Sequence, residues 1–67
     1  MMEDDTVSSF SQSLPLGDNQ GNVPALMRHV AKTIETLGEV DILDIIMHSD
    51  IENSEDWPSF TVYYSKK

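Results

Sequence analysis

Two histidines are the side chains of this chain best suited to acid–base chemistry or metal binding, because imidazole exchanges protons near neutral pH. His48 shares its strand parity with Asp44 and Asp50, an arrangement that would suit a general base or half of a metal site. Alternate strand positions are about 7 Å apart, so these three side chains cannot close a coordination sphere alone. No serine stands in a nucleophile motif, and His29 falls on the polar face of a predicted helix. The sequence therefore predicts a protein that is not an enzyme and holds no metal.

The acidic residues 50–56 carry oxygen side chains at alternate positions, as calcium-binding loops do. The stretch lacks the central glycine of an EF-hand loop, and the residue that should be its closing glutamate is Thr61. We interpret residues 49–58 as a solvated hairpin connection, longer than a tight turn. Gly17, Gly21 and Gly38 are too dispersed to form a phosphate-binding loop, so no cofactor is predicted.

Aromatic side chains beside this acidic stretch are the best candidates for binding a partner, because Trp and Tyr dominate interface hot spots. Phe60 and Tyr64 are expected to fill a small core, whereas Trp57 and Tyr63 suit the core and an interface equally. The predicted partner-binding residues are Trp57, Tyr63, Asp50, Glu52, Glu55 and Asp56.

Composition limits the classes of partner. Twelve acidic residues against four basic ones give a net charge of −8, which phosphate backbones and anionic lipids repel. Direct binding to nucleic acid or to a membrane is therefore not expected, although an acidic chain could mimic nucleic acid against a basic enzyme. With no cysteine, no segment typical of a signal peptide and no apolar run of about 20 residues, the expected location is the cytoplasm.

One amphipathic helix organises the chain. Its apolar stripe recurs at helical spacing and consists of Val23, Leu26, Met27, Val30, Ala31, Ile34 and Leu37. Asn22 is the expected N-cap, Pro24 suits the first turn, and Gly38 suits the C-terminal end. Arg28, His29 and Lys32 fall on the opposite, polar face.

Strands are predicted after this helix. Residues 39–48 are rich in β-branched side chains and are expected to form the central strand, and residues 60–64 return as a second strand. Residues 8–14 could add an edge strand before the helix. The predicted fold class is α+β, with one helix packed on a small antiparallel sheet in the order αββ or βαββ. Residues 22–67 form the single domain, and residues 1–21 are a mobile or edge-strand segment.

Strict alternation along residues 39–48 leaves both sheet faces partly apolar, since Val40, Ile42 and Ile46 share one parity and Leu43, Ile45 and Met47 the other. One helix covers only one face, so we expect a homo-oligomer, unless the N-terminal segment folds over the second face. The predicted function is a small acidic, non-enzymatic protein-interaction or regulatory module that self-associates with an unknown protein partner. The alternatives are a nucleic-acid mimic that inhibits a basic enzyme, or an oligomer that binds a small ligand beside Trp57, Tyr63 and Met47.

Overall fold

The structure, a computed structural model, describes residues 7–67. Strand β1 (Ser8–Ser13) precedes helix α1 (Val23–Leu37), and strands β2 (Val40–Glu52) and β3 (Glu55–Lys66) follow it. The order is βαββ, so the α+β fold and the edge strand before the helix are confirmed. The first six positions of the expected mobile segment lie outside the described residues.

The order of the strands differs from our expectation. Both β1 and β2 pair with β3 in antiparallel fashion, and the sheet order is β1-β3-β2. The prediction of residues 39–48 as the central strand is therefore wrong, because β2 lies at an edge. The central strand is β3, whose Phe60, Val62 and Tyr64 face the helix side of the sheet and pack in or against the core.

The connection between β2 and β3 is also shorter than predicted. Only Asn53 and Ser54 separate the two strands, and both have positive φ, 54° and 63°. This is the signature of a type I′ hairpin turn, whose twist matches that of the flanking strands. The prediction of a long solvated loop over residues 49–58 is thus wrong. Its acidic residues belong to the two strands instead: Asp50 and Glu52 lie at the end of β2, and Glu55 and Asp56 lie at the start of β3.

The helix forms where the sequence predicts it. The Asn22 side chain accepts a hydrogen bond from the backbone N–H of Ala25 at 3.1 Å, which is the expected N-cap. At the other end, Gly38 has a φ of 84° and its N–H donates to the carbonyl of Glu35. Pro24 sits in the first turn, where its missing N–H removes no helical bond.

The core lies between α1 and the β1–β3 half of the sheet. Its buried apolar side chains are Leu14, Leu26, Val30 and Val62, and Phe10, Ile34, Phe60 and Tyr64 are half-buried against them. Leu26 and Val62 are fully buried, whereas Leu14 and Val30 are 7% and 5% exposed, so the core is small. A chain of this length is only marginally stabilised by such a core, so support from a further surface is expected.

One polar residue is buried with the core. Gln20 is 1% exposed, and its side-chain Oε1 accepts from the backbone N–H of Gly17 at 3.1 Å. Its Nε2 donates to the carbonyl of Glu52 at 2.8 Å and, more weakly, to that of Glu55 at 3.4 Å. The hydrogen bonds of the Gln20 side chain therefore link the loop before α1 to the residues on both sides of the hairpin turn. Sequence reasoning missed this residue, since nothing in its neighbourhood marks it as buried.

Candidate interaction surface

A β-bulge in β2 sorts the side chains of this strand into an apolar face and a polar face. The pairing with β3 shifts by one residue between Ile42 and Asp44, which leaves Leu43 as the extra residue. Residues directly opposite in an antiparallel pair share a face. The side of the sheet that carries Val62 and the helix therefore receives Val40, Ile42, Ile45, Met47, Ser49 and Ile51.

This result corrects our expectation of two partly apolar faces, which assumed strict alternation. The opposite or outer face of β2 carries Asp41, Asp44, Ile46, His48, Asp50 and Glu52. Ile46 is the single apolar side chain among them. The outer face is thus the solvated side of the sheet, as is common in antiparallel proteins.

The apolar helix-side face of β2 is nevertheless not covered. Ile42, Ile45, Met47 and Ile51 are 40%, 47%, 54% and 65% exposed. Helix α1 packs on β1 and β3, and every residue of β2 after Val40 is exposed. The reason to expect an oligomer therefore changes. Only the helix-side face of the sheet is apolar, and it extends beyond the area that α1 covers.

An open apolar groove runs between α1 and β2. It has a volume of about 200 Å³ and is lined by Met27, Val30, Ala31, Ile34, Ile45 and Phe60. On the helix side of this groove, Met27 is 55% exposed although it belongs to the apolar stripe. The stripe is therefore only partly buried: Leu26 and Val30 contact the core, and the flank that faces β2 stays open.

The predicted partner-binding residues lie mostly on the outer face. Pairing places Asp50 opposite Trp57, Asp44 opposite Tyr63, and Glu52 opposite Glu55. Asp56 pairs with Ile51 and therefore falls on the helix side. Five of the six predicted residues thus share one face of the hairpin: Trp57, Tyr63, Asp50, Glu52 and Glu55.

Trp57 has a structural contact of its own. Its indole Nε1–H donates to the carbonyl of Leu14 at 2.7 Å, and the side chain is half-buried. This bond ties the end of β1 to β3, so the indole N–H is already in use. Met47 faces the helix side and Tyr63 the outer face. One pocket within a single chain therefore cannot include Trp57, Tyr63 and Met47, and the small-ligand alternative, a pocket between subunits, would need more than one chain to bring them together.

His48, considered as a general base or metal ligand, has one side-chain partner among the described residues. His48 Nε2 lies 3.2 Å from Asp50 Oδ1, and both side chains are exposed, at 67% and 60%. Asp44 lies on the same outer face, four residues along β2 from His48, with Ile46 between them. Residues 7–67 contain no group of three or more potential ligands placed to hold a metal ion.

Comparison with known proteins gives no relative for this chain: no family model, no curated protein and no solved structure matches it. In the described part of the chain, no helix is long and apolar enough to cross a membrane.

Proposed function

We propose that this protein is a non-enzymatic protein-interaction module, that β2 is its interaction surface, and that its first partner is a second copy of the chain. The observation that supports this proposal is the exposure of β2. A strand of 13 residues combines an uncovered apolar face with a free backbone edge. Such a surface is typical of interaction sites.

The energetics favour a partner on this strand. Fully burying one aliphatic side chain contributes about 1.5 to 3 kcal/mol. Ile42, Ile45, Met47 and Ile51 are each about half exposed, so covering the four would contribute roughly 3 to 6 kcal/mol before ordering costs. The stability expected for 67 residues is roughly 3 to 10 kcal/mol. A partner that covers all four side chains would therefore contribute an amount comparable with the stability of the isolated fold.

Sedimentation equilibrium tests self-association. We expect a particle of twice the 7.5 kDa chain mass to appear between about 1 μM and 1 mM protein, a range that covers free energies of roughly −8.2 to −4.1 kcal/mol. A double variant, Ile45→Lys with Ile46→Lys, places a cation on each face of β2 and should remain monomeric. The control, Ser9→Lys with Asn19→Lys, adds the same charge at exposed positions outside β2 and should dimerise as the parent does. A monomeric parent over the whole range would refute the proposal.

The acidic outer face keeps the nucleic-acid mimic as a second candidate. Asp41, Asp44, Asp50 and Glu52 follow one another along the same face of β2, with Glu55 opposite Glu52. These carboxylates share one face, with Ile46 and His48 between Asp44 and Asp50. Carboxylates gathered on one face are what a basic groove would bind. This function predicts affinity for a basic nucleic-acid enzyme that falls steeply with salt and is lost when Asp50, Glu52 and Glu55 are neutralised together. The compartment we propose is the cytoplasm, where disulfides are rare and where a cysteine-free chain is at no disadvantage.

A further inference from the structure

The sheet has two edges of unequal length. The β1 edge is six residues long and is followed by Pro15 after Leu14. The β2 edge is 13 residues long and contains neither lysine nor proline, the residues that most often block edge-to-edge pairing. Its one irregularity, the bulge at Leu43, leaves nine regular residues from Asp44 to Glu52 with free backbone groups.

Symmetry restricts how two copies can pair through this edge. A two-fold axis parallel to the strands would pair them in parallel and place the apolar face of one copy beside the acidic face of the other. A two-fold axis perpendicular to the sheet pairs them in antiparallel fashion and keeps both apolar faces on one side. Only the second arrangement brings Ile45 and Met47 beside apolar neighbours across the new edge.

We infer that two copies pair β2 against β2 in antiparallel fashion, with the two-fold axis at Ile46. This inference rests on the self-association proposed above. This register pairs residues 44–48 of one copy with the same segment of the other, because the bulge at Leu43 interrupts regular pairing beyond it. It places Ile46 opposite Ile46 of the second copy, Ile45 opposite Met47 of the second copy, and Asp44 opposite His48 of the second copy.

Each of these pairs is complementary. The isolated outer-face Ile46, 46% exposed, gains an apolar neighbour at the axis. When His48 is protonated, its Nε2–H can donate to Asp50 and its Nδ1–H to Asp44 of the second copy, and the same pair occurs twice by symmetry. Moving the axis to Met47 would instead oppose Asp44 to Asp50 of the second copy, and moving it to His48 would oppose Asp44 to Glu52. Cross-strand pairs of like charge are destabilising, so charge disfavours these two registers. A register centred on Ile45 avoids them but opposes Ile46 to Asp44, so the apolar pairing of Ile46 selects the axis at Ile46.

The product is a six-stranded sheet with both helices on one face. Each α1 lies over β1 and β3, so strand spacing of about 4.8 Å places the two helix axes roughly 19 Å apart. Helices in contact are about 8 to 10 Å apart, so the helices do not meet above the paired β2 strands. Packing of the two apolar faces against each other would cover β2 from above, but it would leave both backbone edges and both Ile46 side chains unpaired.

Cysteine cross-linking distinguishes these two modes, because the parent chain has no cysteine. Opposed residues of an antiparallel pair have Cα atoms about 4.5 to 5.5 Å apart, within the range of about 4.4 to 6.8 Å that a disulfide requires. We expect Ile46→Cys to form a covalent dimer under mild oxidation. Asp44→Cys and His48→Cys should each stay uncoupled, because equivalent positions would be about 14 Å apart along the strand, but a mixture of the two should cross-link.

A charge exchange provides an independent readout. His48→Asp should weaken dimerisation about tenfold, since it opposes two carboxylates twice. Asp44→His in the same chain should restore the affinity. If the protein dimerises but Ile45→Cys or Met47→Cys cross-links in place of Ile46→Cys, the inferred pairing is overturned and the proposed function stands. If the parent sediments as a monomer, the proposed function fails with it.

Discussion

A single substitution at Gln20 should lower the free energy of unfolding far more than its polar sequence context suggests. Its amide makes three hydrogen bonds from a site that is 1% exposed: one from the Gly17 N–H and two to the carbonyls of Glu52 and Glu55. Gln20→Met keeps the length of the side chain and removes all three bonds. Each contributes about 0.5 to 1.5 kcal/mol net, and the longest one contributes least. Allowing for the apolar burial of the methionine, we expect a loss of about 2 kcal/mol.

Urea and thermal unfolding, followed by Trp57 fluorescence and far-UV circular dichroism at fixed protein concentration, measure this loss. For a domain of this size, 2 kcal/mol corresponds to a fall in Tm of roughly 8 to 16 °C. Asn19→Met is the matched control, because Asn19 neighbours Gln20 and its side chain is exposed. A free energy of unfolding within about 0.5 kcal/mol of the parent for Gln20→Met would refute the view that this amide holds the loop to the hairpin.

Gln20→Glu sharpens the test by introducing a pH dependence. The new carboxyl can still accept from Gly17, but its second oxygen faces the carbonyls of Glu52 and Glu55. Burial and these carbonyls should raise the pKa of the introduced group in the folded state above its unfolded value of about 4.3. The folded state then holds the proton more tightly, so the stability deficit relative to the parent should grow as pH rises through the folded-state pKa. It should be smallest below about pH 4. A deficit independent of pH would contradict this account of the site.

Three further substitutions and one deletion test the packing. Leu26→Ala should destabilise the fold by about 2 to 5 kcal/mol, whereas Met27→Ala, one residue along the same helix but 55% exposed, should cost under about 1 kcal/mol; equal losses in urea unfolding would contradict the half-covered stripe. Deleting Leu43 removes the bulge without changing the face of any other β2 residue, so amide chemical shifts outside the strand should be retained, and a global change would show that the register depends on the bulge. Trp57→Phe keeps the ring but loses the bond to the Leu14 carbonyl and should cost about 1 to 2 kcal/mol in thermal unfolding, against no change if the indole N–H contributes nothing.

Local rules located the helix. Asn22, Pro24 and Gly38 are end signals whose mechanisms depend on the immediate backbone, so they could be read from the sequence and the structure confirms them. The turn at Asn53 and Ser54 is equally local, yet the surrounding acidic residues resembled a solvated loop. Both turn residues have positive φ, and neither is glycine, so the composition does not indicate a tight turn here.

Strand order and strand faces depend on contacts distant in sequence. Nothing within β2 indicates that β1 pairs with β3 from the far side, because pairing partners are set by the crossover through α1. The bulge did leave a signal. With one slip at Leu43, Val40, Ile42, Ile45 and Met47 fall on a single face, and Asp41 and Asp44 fall on the other. Strict alternation, which the sequence prediction assumed, accepts faces that mix apolar and acidic side chains, so that prediction does not include a bulge.

The geometry of one helix on three strands leads from this fold to association. A helix is about 10 Å across, and strands are about 4.8 Å apart, so one helix covers about two strands. Here α1 covers β1 and β3, and the third strand must be polar or be covered by something else. Instead, the bulge at Leu43 gathers the apolar side chains of β2 onto the helix side. A monomer gains nothing from that arrangement, because regular alternation would have placed part of these side chains elsewhere at no cost to the core. Pairing of two β2 edges places these apolar side chains beside one another on one face, so it accounts for the bulge and the open edge together.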